Sequence, residues 1–268
     1  MQRITRLALA LATVVALASP ALVHAQAMSS AEPFKVGTFE IGGASTVGLV
    51  LRDALIIDIG AANTALEIDP MYAHVNAPAD MLELIGQYEY GLKYRLYEIV
   101  NNVVGNDLLG ADYVHRVDDV GILPPVMYPS KIMNAAVNFY THACEGCSEA
   151  DLAARTQQRK ENRGVPYLFL KPTRGAVIGS GADIVLPYGR DRIEWEVELA
   201  IVFGRAGKYI SAARAYDHVF GYTVAMDISD RGGRPPGGDG SGSAWVVGTG
   251  AGTLDRKRGA EGKRVDPG

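Results

Sequence analysis

The stretch RIEWEVELAIVFG, residues 192–204, decides how the rest of the chain is read. Side chains alternate across a strand. One face then carries Trp195, Val197, Leu199, Ile201 and Phe203, an apolar series that reads as core. The other face begins with Glu194, Glu196 and Glu198 and continues with Ala200 and Val202. A face turned to bulk water stays polar to its end. This one changes from acids to apolar residues midway, which points the acids toward a cleft.

Glu196 and Glu198, two residues apart on that face, sit about 7 Å from each other. Carboxylates crowded into a partly apolar cleft repel one another and lose hydration. A hard divalent cation resolves both problems, and an oxygen-only donor set favours Mg²⁺, Mn²⁺ or Ca²⁺ over zinc. Asp227, in TVAMDIS, stands at the end of a second apolar strand. An acid buried there needs a partner or a metal. Taken singly these residues are also compatible with a solvated strand face and a turn cap.

His142 and Glu145 form H-x-x-E in NFYTHACE. At that spacing a helical turn places both on one side. A carboxylate that orients the imidazole makes it a general base for water, although a surface ion pair has the same spacing. Arg231 can grip a substrate carboxylate with two hydrogen bonds, and Lys171, in FLKP, adds a second cation beside strands.

The chain has 268 residues, 48% hydrophobic and 21% charged, with a net charge of −4. That is a globular composition with length for one large or two small domains. Nothing basic points to nucleic acid. Residues 1–27 stand apart: Arg3 and Arg6, the apolar run LALALATVVALA, then Ser19-Pro20 and VHAQA, which offers small residues for cleavage after Ala25 or Ala27. This is the pattern of a secretory signal peptide, too short for a membrane span of about 20 residues. It implies an exported protein, periplasmic in a bacterium, without a stable membrane anchor. The two cysteines, Cys144 and Cys147, lack the strand–helix context of a redox motif and the further ligands of a zinc site. A local disulfide suits an oxidising compartment.

Residues 28–127 read as an N-terminal domain and connector. FKVGTFEIGGASTVGLVLRDALIIDIG has the short runs of a small antiparallel unit. Residues 79–104 place Met81, Leu84, Ile85, Tyr88, Leu92, Leu96, Ile99, Val100 and Val103 at helical spacing, with Gly86 and Gly91 weakening the middle. Residues 106–130 read as a linker broken by Pro124, Pro125 and Pro129. Residues 128–231 hold a buried strand in KIMNAAVNF, a polar helical stretch over 140–164, strands in YLFLKP and AVIGSGADIVLP, and a short helix in SAARAYDHVF. Residues 232–268 contain 12 of the 31 glycines and no periodicity, and are expected to be largely disordered. WVVGTGAGT and IGSGAD lack the strand–turn–helix setting of a nucleotide site, so their glycines read as turn formers.

In order and spacing, KIMNAAVNFYTHACE, PYLFLKPTRGAVIGSGADIVLP and IEWEVELAIVFGRAGKYISAARAYDHVFGYTVAMDISDR resemble the fumarylacetoacetate hydrolase family. The resemblance implies an α+β fold, a β-rich mixed pseudo-barrel with a small N-terminal α/β unit, homodimeric when the barrel is intact. It implies a metal site of Glu196, Glu198 and Asp227, with Mg²⁺ the expected ion, and a water activated by His142 and Glu145. It further implies cleavage of a carbon–carbon bond in acylpyruvates or related β-diketo acids. Decarboxylation, isomerisation or hydration of 2-oxo acids uses the same kind of site.

The sequence after Asp230 departs from that family. GSAWVVGTGAGT is a weak likeness of the next family segment, with Thr249 where a lysine is expected, and LDRKRGAEGKRVDPG has no counterpart. The expectation is a C-terminally truncated or frame-shifted member whose barrel is incomplete. Open strand edges and unburied core faces would make it aggregation-prone and weakly active, or leave a non-catalytic exported remnant.

Overall fold

The computed structural model describes residues 27–186, 193–230 and 264–265. All but Ala27 of the expected signal peptide and all but two residues of the expected tail therefore lie outside the described residues, as does Arg231.

The N-terminal unit begins with β1 (Phe34–Ile41), β2 (Ala44–Leu51) and β3 (Leu55–Asp58), an antiparallel meander as expected. The β1–β2 turn uses Gly42 and Gly43, both with positive φ, which glycine adopts without steric cost. Gly37 and Gly48 face each other across β1 and β2, and the ring of Phe39 lies over both. A Cβ at either position would meet that ring at 2.7–2.9 Å, so the aromatic fills the space that two side chains would occupy. Next come α1 (Ile59–Leu66), α2 (Met81–Gln87) and α3 (Lys93–Gly105). Asp58 and Asp80 cap α1 and α2 by accepting from the backbone N–H groups of Ala61 and Glu83. Residues 79–104 do not form one helix. A wide turn over Tyr88–Leu92 separates α2 from α3, with Gly91 at φ 119°.

The core of this unit is continuous. Val47, Leu49, Leu51 and Ile57 from the sheet meet Met81, Leu84, Leu92, Leu96, Ile99, Val100 and Val103 from the helices. Burying a side chain of this size stabilises by about 1.5–3 kcal/mol. Two features escaped the sequence reading. Helix α1 carries only eight residues directly after a strand, so no amphipathic period shows. The supposed linker contains β4 (Val114–Arg116) and β5 (Gly121–Leu123), which close the two edges of the sheet in the order β4-β3-β2-β1-β5. Three-residue strands show no alternation; their role is to cover edges.

The second region is built of two-stranded pieces. β6 (Ile132–Ala135) pairs with β7 (Leu168–Lys171), and between them lie a short 3₁₀ turn at His142–Cys144 and the exposed helix α4 (Glu149–Glu161), capped by Ser148. Cys144 and Cys147 form a disulfide. β8 (Ile184–Val185) pairs with β11 (Arg264–Val265), so those two residues of the expected disordered tail are in a strand. The loop before β8 runs against β5. A Cβ on Gly179 would lie 2.3 Å from the Ile122 carbonyl oxygen, so this glycine serves close packing.

The longest pairing joins β9 (Ile193–Phe203) to β10 (Val219–Asp230) in an antiparallel ribbon. Its position relative to the N-terminal unit is marked by Phe220, whose ring meets Tyr88 edge-to-face at 5.2 Å. The expectation that Trp195, Val197, Leu199, Ile201 and Phe203 form core is corrected here. These side chains are 48–69% exposed, and Tyr222, Val224 and Met226 across the ribbon are 47–75% exposed. The alternation is as read, and this apolar face is left open among the described residues, as expected of an incomplete barrel. On the other face Glu196, Glu198, Ala200 and Val202 are half-buried, and β6 and β7 lie on that side.

Candidate metal centre

Strand register brings the acids together. In the β9–β10 ladder Asp227 stands directly opposite Glu196, and Ala225 opposite Glu198. Residues directly opposite share a face, so the three carboxylates lie on one side of the ribbon. Oxygen atoms from Glu196, Glu198 and Asp227 all fall within 4.8 Å of one another. The opposite residue to Glu198 is only an alanine, which leaves room for the acids to converge.

Asp227 is 5% exposed. Both of its oxygens are engaged by the β6–β7 hairpin. Asn134 Nδ2 donates to Oδ2 at 2.7 Å, and Lys171 Nζ forms an ion pair with Oδ1. The same ammonium reaches the Ile228 carbonyl oxygen at 3.3 Å. Lys171 therefore enters the site through Asp227. Burial pushes the Glu198 carboxyl above its usual range, and the neighbouring charges of Asp227 and Glu196 add to the rise, while His142 opposes it. The all-oxygen donor set and its partial burial fit a divalent cation.

These residues line a cavity of about 610 Å³. The same cavity is lined by His142 and Glu145, with Phe139, Phe169 and Val137 supplying apolar surface. His142 Nδ1 lies 2.6 Å from Glu145 Oε1. That bond commits Nδ1 and leaves Nε2 as the nitrogen able to exchange a proton. The turn that holds the pair is short and tied: the Cys144 N–H donates to the Thr141 carbonyl, Cys147 N–H to that of Cys144, and the disulfide closes it. Val137 occupies positive φ (50°), an uncommon conformation for a β-branched residue, and its carbonyl accepts from Arg159 Nη1 of α4 at 3.2 Å.

Five of the seven residues singled out from sequence thus meet at one cavity: His142, Glu145, Glu196, Glu198 and Asp227. Lys171 is adjacent, and Arg231 lies outside the described residues. Sequence reasoning missed Asn134, whose signal was a lone amide in the apolar run KIMNAA. It also missed Phe169 and Val137, which carry no signal beyond their hydrophobicity.

The profile of fumarylacetoacetate (FAA) hydrolase, C-terminal, matches residues 131–236. The chain is 31% identical over 201 residues to the oxaloacetate tautomerase YisK of Bacillus subtilis, covering 74% of this chain and 60% of that protein. It is 36% identical over 113 residues to the mitochondrial oxaloacetate tautomerase FAHD2A of Bos taurus, covering 42% of this chain and 32% of that protein. The chain thus spans less than two thirds of these relatives. Among solved structures, a protein described as a probable 2-hydroxyhepta-2,4-diene-1,7-dioate isomerase from Mycobacterium abscessus superposes with a TM-score of 0.50 at 18% identity, covering 80% of this chain and 58% of that one. At that identity the likeness shows the mixed α+β, sheet-rich fold alone.

Proposed function

The chain belongs to the fumarylacetoacetate hydrolase family, and from that premise we propose that it is a metal-dependent enzyme cleaving a carbon–carbon bond in acylpyruvate or related β-diketo acid substrates. The carrying observation is the convergence of Glu196, Glu198 and Asp227 at a cavity that the His142–Glu145 pair also lines. In this reading the three carboxylates hold one divalent cation, Mg²⁺ with Mn²⁺ or Ca²⁺ as substitutes. The cation supplies Lewis acidity toward the 2-oxo acid group.

The protein's own groups do the rest. Glu145 fixes the tautomer and orientation of His142. Nε2 accepts the proton of a water that attacks the carbonyl remote from the carboxylate, and returns a proton to the departing pyruvate fragment. Phe169 and Val137, both half-buried, supply apolar surface beside the reacting carbons. Arg231 is proposed to bind the substrate carboxylate, while Lys171 acts by holding Asp227. Export to the periplasm and homodimerisation complete the proposal, on the strength of residues 1–27 and of the family's implied assembly.

A second reading is favoured by the names of the relatives above: tautomerisation of oxaloacetate at the same site, with His142 moving a proton between carbon and oxygen. Incubation with an acylpyruvate and, separately, with oxaloacetate distinguishes the two. The hydrolase reading expects pyruvate and a second acid from the first substrate, dependent on Mg²⁺ and abolished by EDTA. Glu198→Ala is expected to lower that turnover at least 100-fold; unchanged turnover would sink the metal assignment. Metal binding without turnover of either substrate would identify a binding module instead.

A further inference from the structure

We infer that Asn134 is a positioning residue for the carboxylate cluster, its side-chain amide setting the rotation of the Asp227 carboxyl group. The inference rests on the metal reading above and assigns a residue that the site was not expected to contain.

Asn134 is the single polar side chain of β6, among Ile132, Met133 and Ala135. In the β6–β7 register it shares a face with Lys171, and the two reach Asp227 from different sides. An ionised carboxylate only accepts hydrogen bonds, so the amide must present its NH₂ group to Oδ2. Each oxygen of Asp227 gives one acceptor site to the hairpin and keeps another for the cluster.

The division of labour follows from the side chains. The terminal torsion of an aspartate is broad and two-fold, so burial alone does not fix the plane of its carboxyl. Lys171, tied also to the Ile228 carbonyl oxygen, holds only Oδ1. One held oxygen leaves the carboxyl free to turn about it. Asn134 is short, extends from a paired strand, and holds Oδ2 at 2.7 Å. Lys171 therefore balances charge at one oxygen, and Asn134, holding the second, sets the plane. Partners of this kind behind a ligand typically change metal affinity by about 10–100-fold when removed.

The test uses the full chain with Mn²⁺ as probe, binding being followed by loss of the free-ion electron paramagnetic resonance signal. Asn134→Leu keeps the volume and removes the donor; Asn134→Ala replaces it if the leucine variant does not fold. The expected result is Mn²⁺ affinity weakened about 10–100-fold, with no further loss when the same substitution is made in Asp227→Ala. Affinity within about threefold of the parent overturns the inference. So does an equal loss in the Asp227→Ala background, which would mark a general structural effect. If the parent chain binds no Mn²⁺ the metal reading itself falls, and the inference with it.

Discussion

The N-terminal sheet and the β9–β10 ribbon are both antiparallel and both carry long apolar stripes. In the first, α1, α2 and α3 lie on the stripe and reduce Leu49, Leu51 and Ile57 to complete burial. In the second, the apolar stripe from Trp195 to Phe203 is mostly exposed, and the polar stripe is the one turned inward. Alternation alone therefore does not say which side of a strand is interior. The neighbouring elements decide it: helices for the sheet, the β6–β7 hairpin for the ribbon. The same contrast holds for charge. Glu67, between α1 and the following loop, is held down to about 2 by the Val75 N–H and then by His74. Glu198 is pushed up by burial and by Asp227. One acid sits among donors, the other among acids.

The largest expected effect separates the two apolar stripes. Leu96→Ala, in the sealed core, should lower unfolding free energy by about 2–5 kcal/mol, whereas Leu199→Ala, 64% exposed, should change it by no more than about 0.5 kcal/mol. Chemical denaturation followed by far-UV circular dichroism measures both. Equal losses would mean that the ribbon face is covered in solution and would erase the contrast.

Acid titration sharpens the charge comparison. Because the folded-state value of Glu67 lies below its ordinary 4.5, its contribution is complete above about pH 4.5 and is lost as pH falls toward 2. The melting temperature of the parent chain should therefore fall over that window more steeply than that of Glu67→Gln. Parallel curves would remove Glu67 from the acid response. Smallest is the surface effect: Val197→Lys with Val224→Lys, a diagonal pair of exposed apolar positions on one face of the ribbon, should reduce fluorescence of an apolar dye and leave Mn²⁺ binding unchanged. Undiminished dye binding would place the dye elsewhere.

Much of the site was legible in the sequence because its residues obey short-range rules. Glu196 and Glu198 share a face by strand period, and His142 and Glu145 meet within one turn. Asp227 stood out as an acid in an apolar run. Two things were not legible. The burial of the acid face depends on where β6–β7 packs, a contact between segments about 60 residues apart in sequence. The role of Asn134 depends on a partner 93 positions away. In the N-terminal unit the long elements were readable by period, but α1, β4 and β5 were too short to show one.

The pairing of Asp227 with Glu196 also limits how the gene can drift. Removing or adding one residue in either strand would send part of the acid cluster to the opposite face. Removing two would keep the face but slide the acids by about 7 Å along the ladder, farther than the 4.8 Å that spans the cluster. Length variation in this segment is thus confined to the Gly204–His218 connection, where an insertion changes neither ladder, and homologues that retain the chemistry should differ in length there and nowhere else between Ile193 and Asp230.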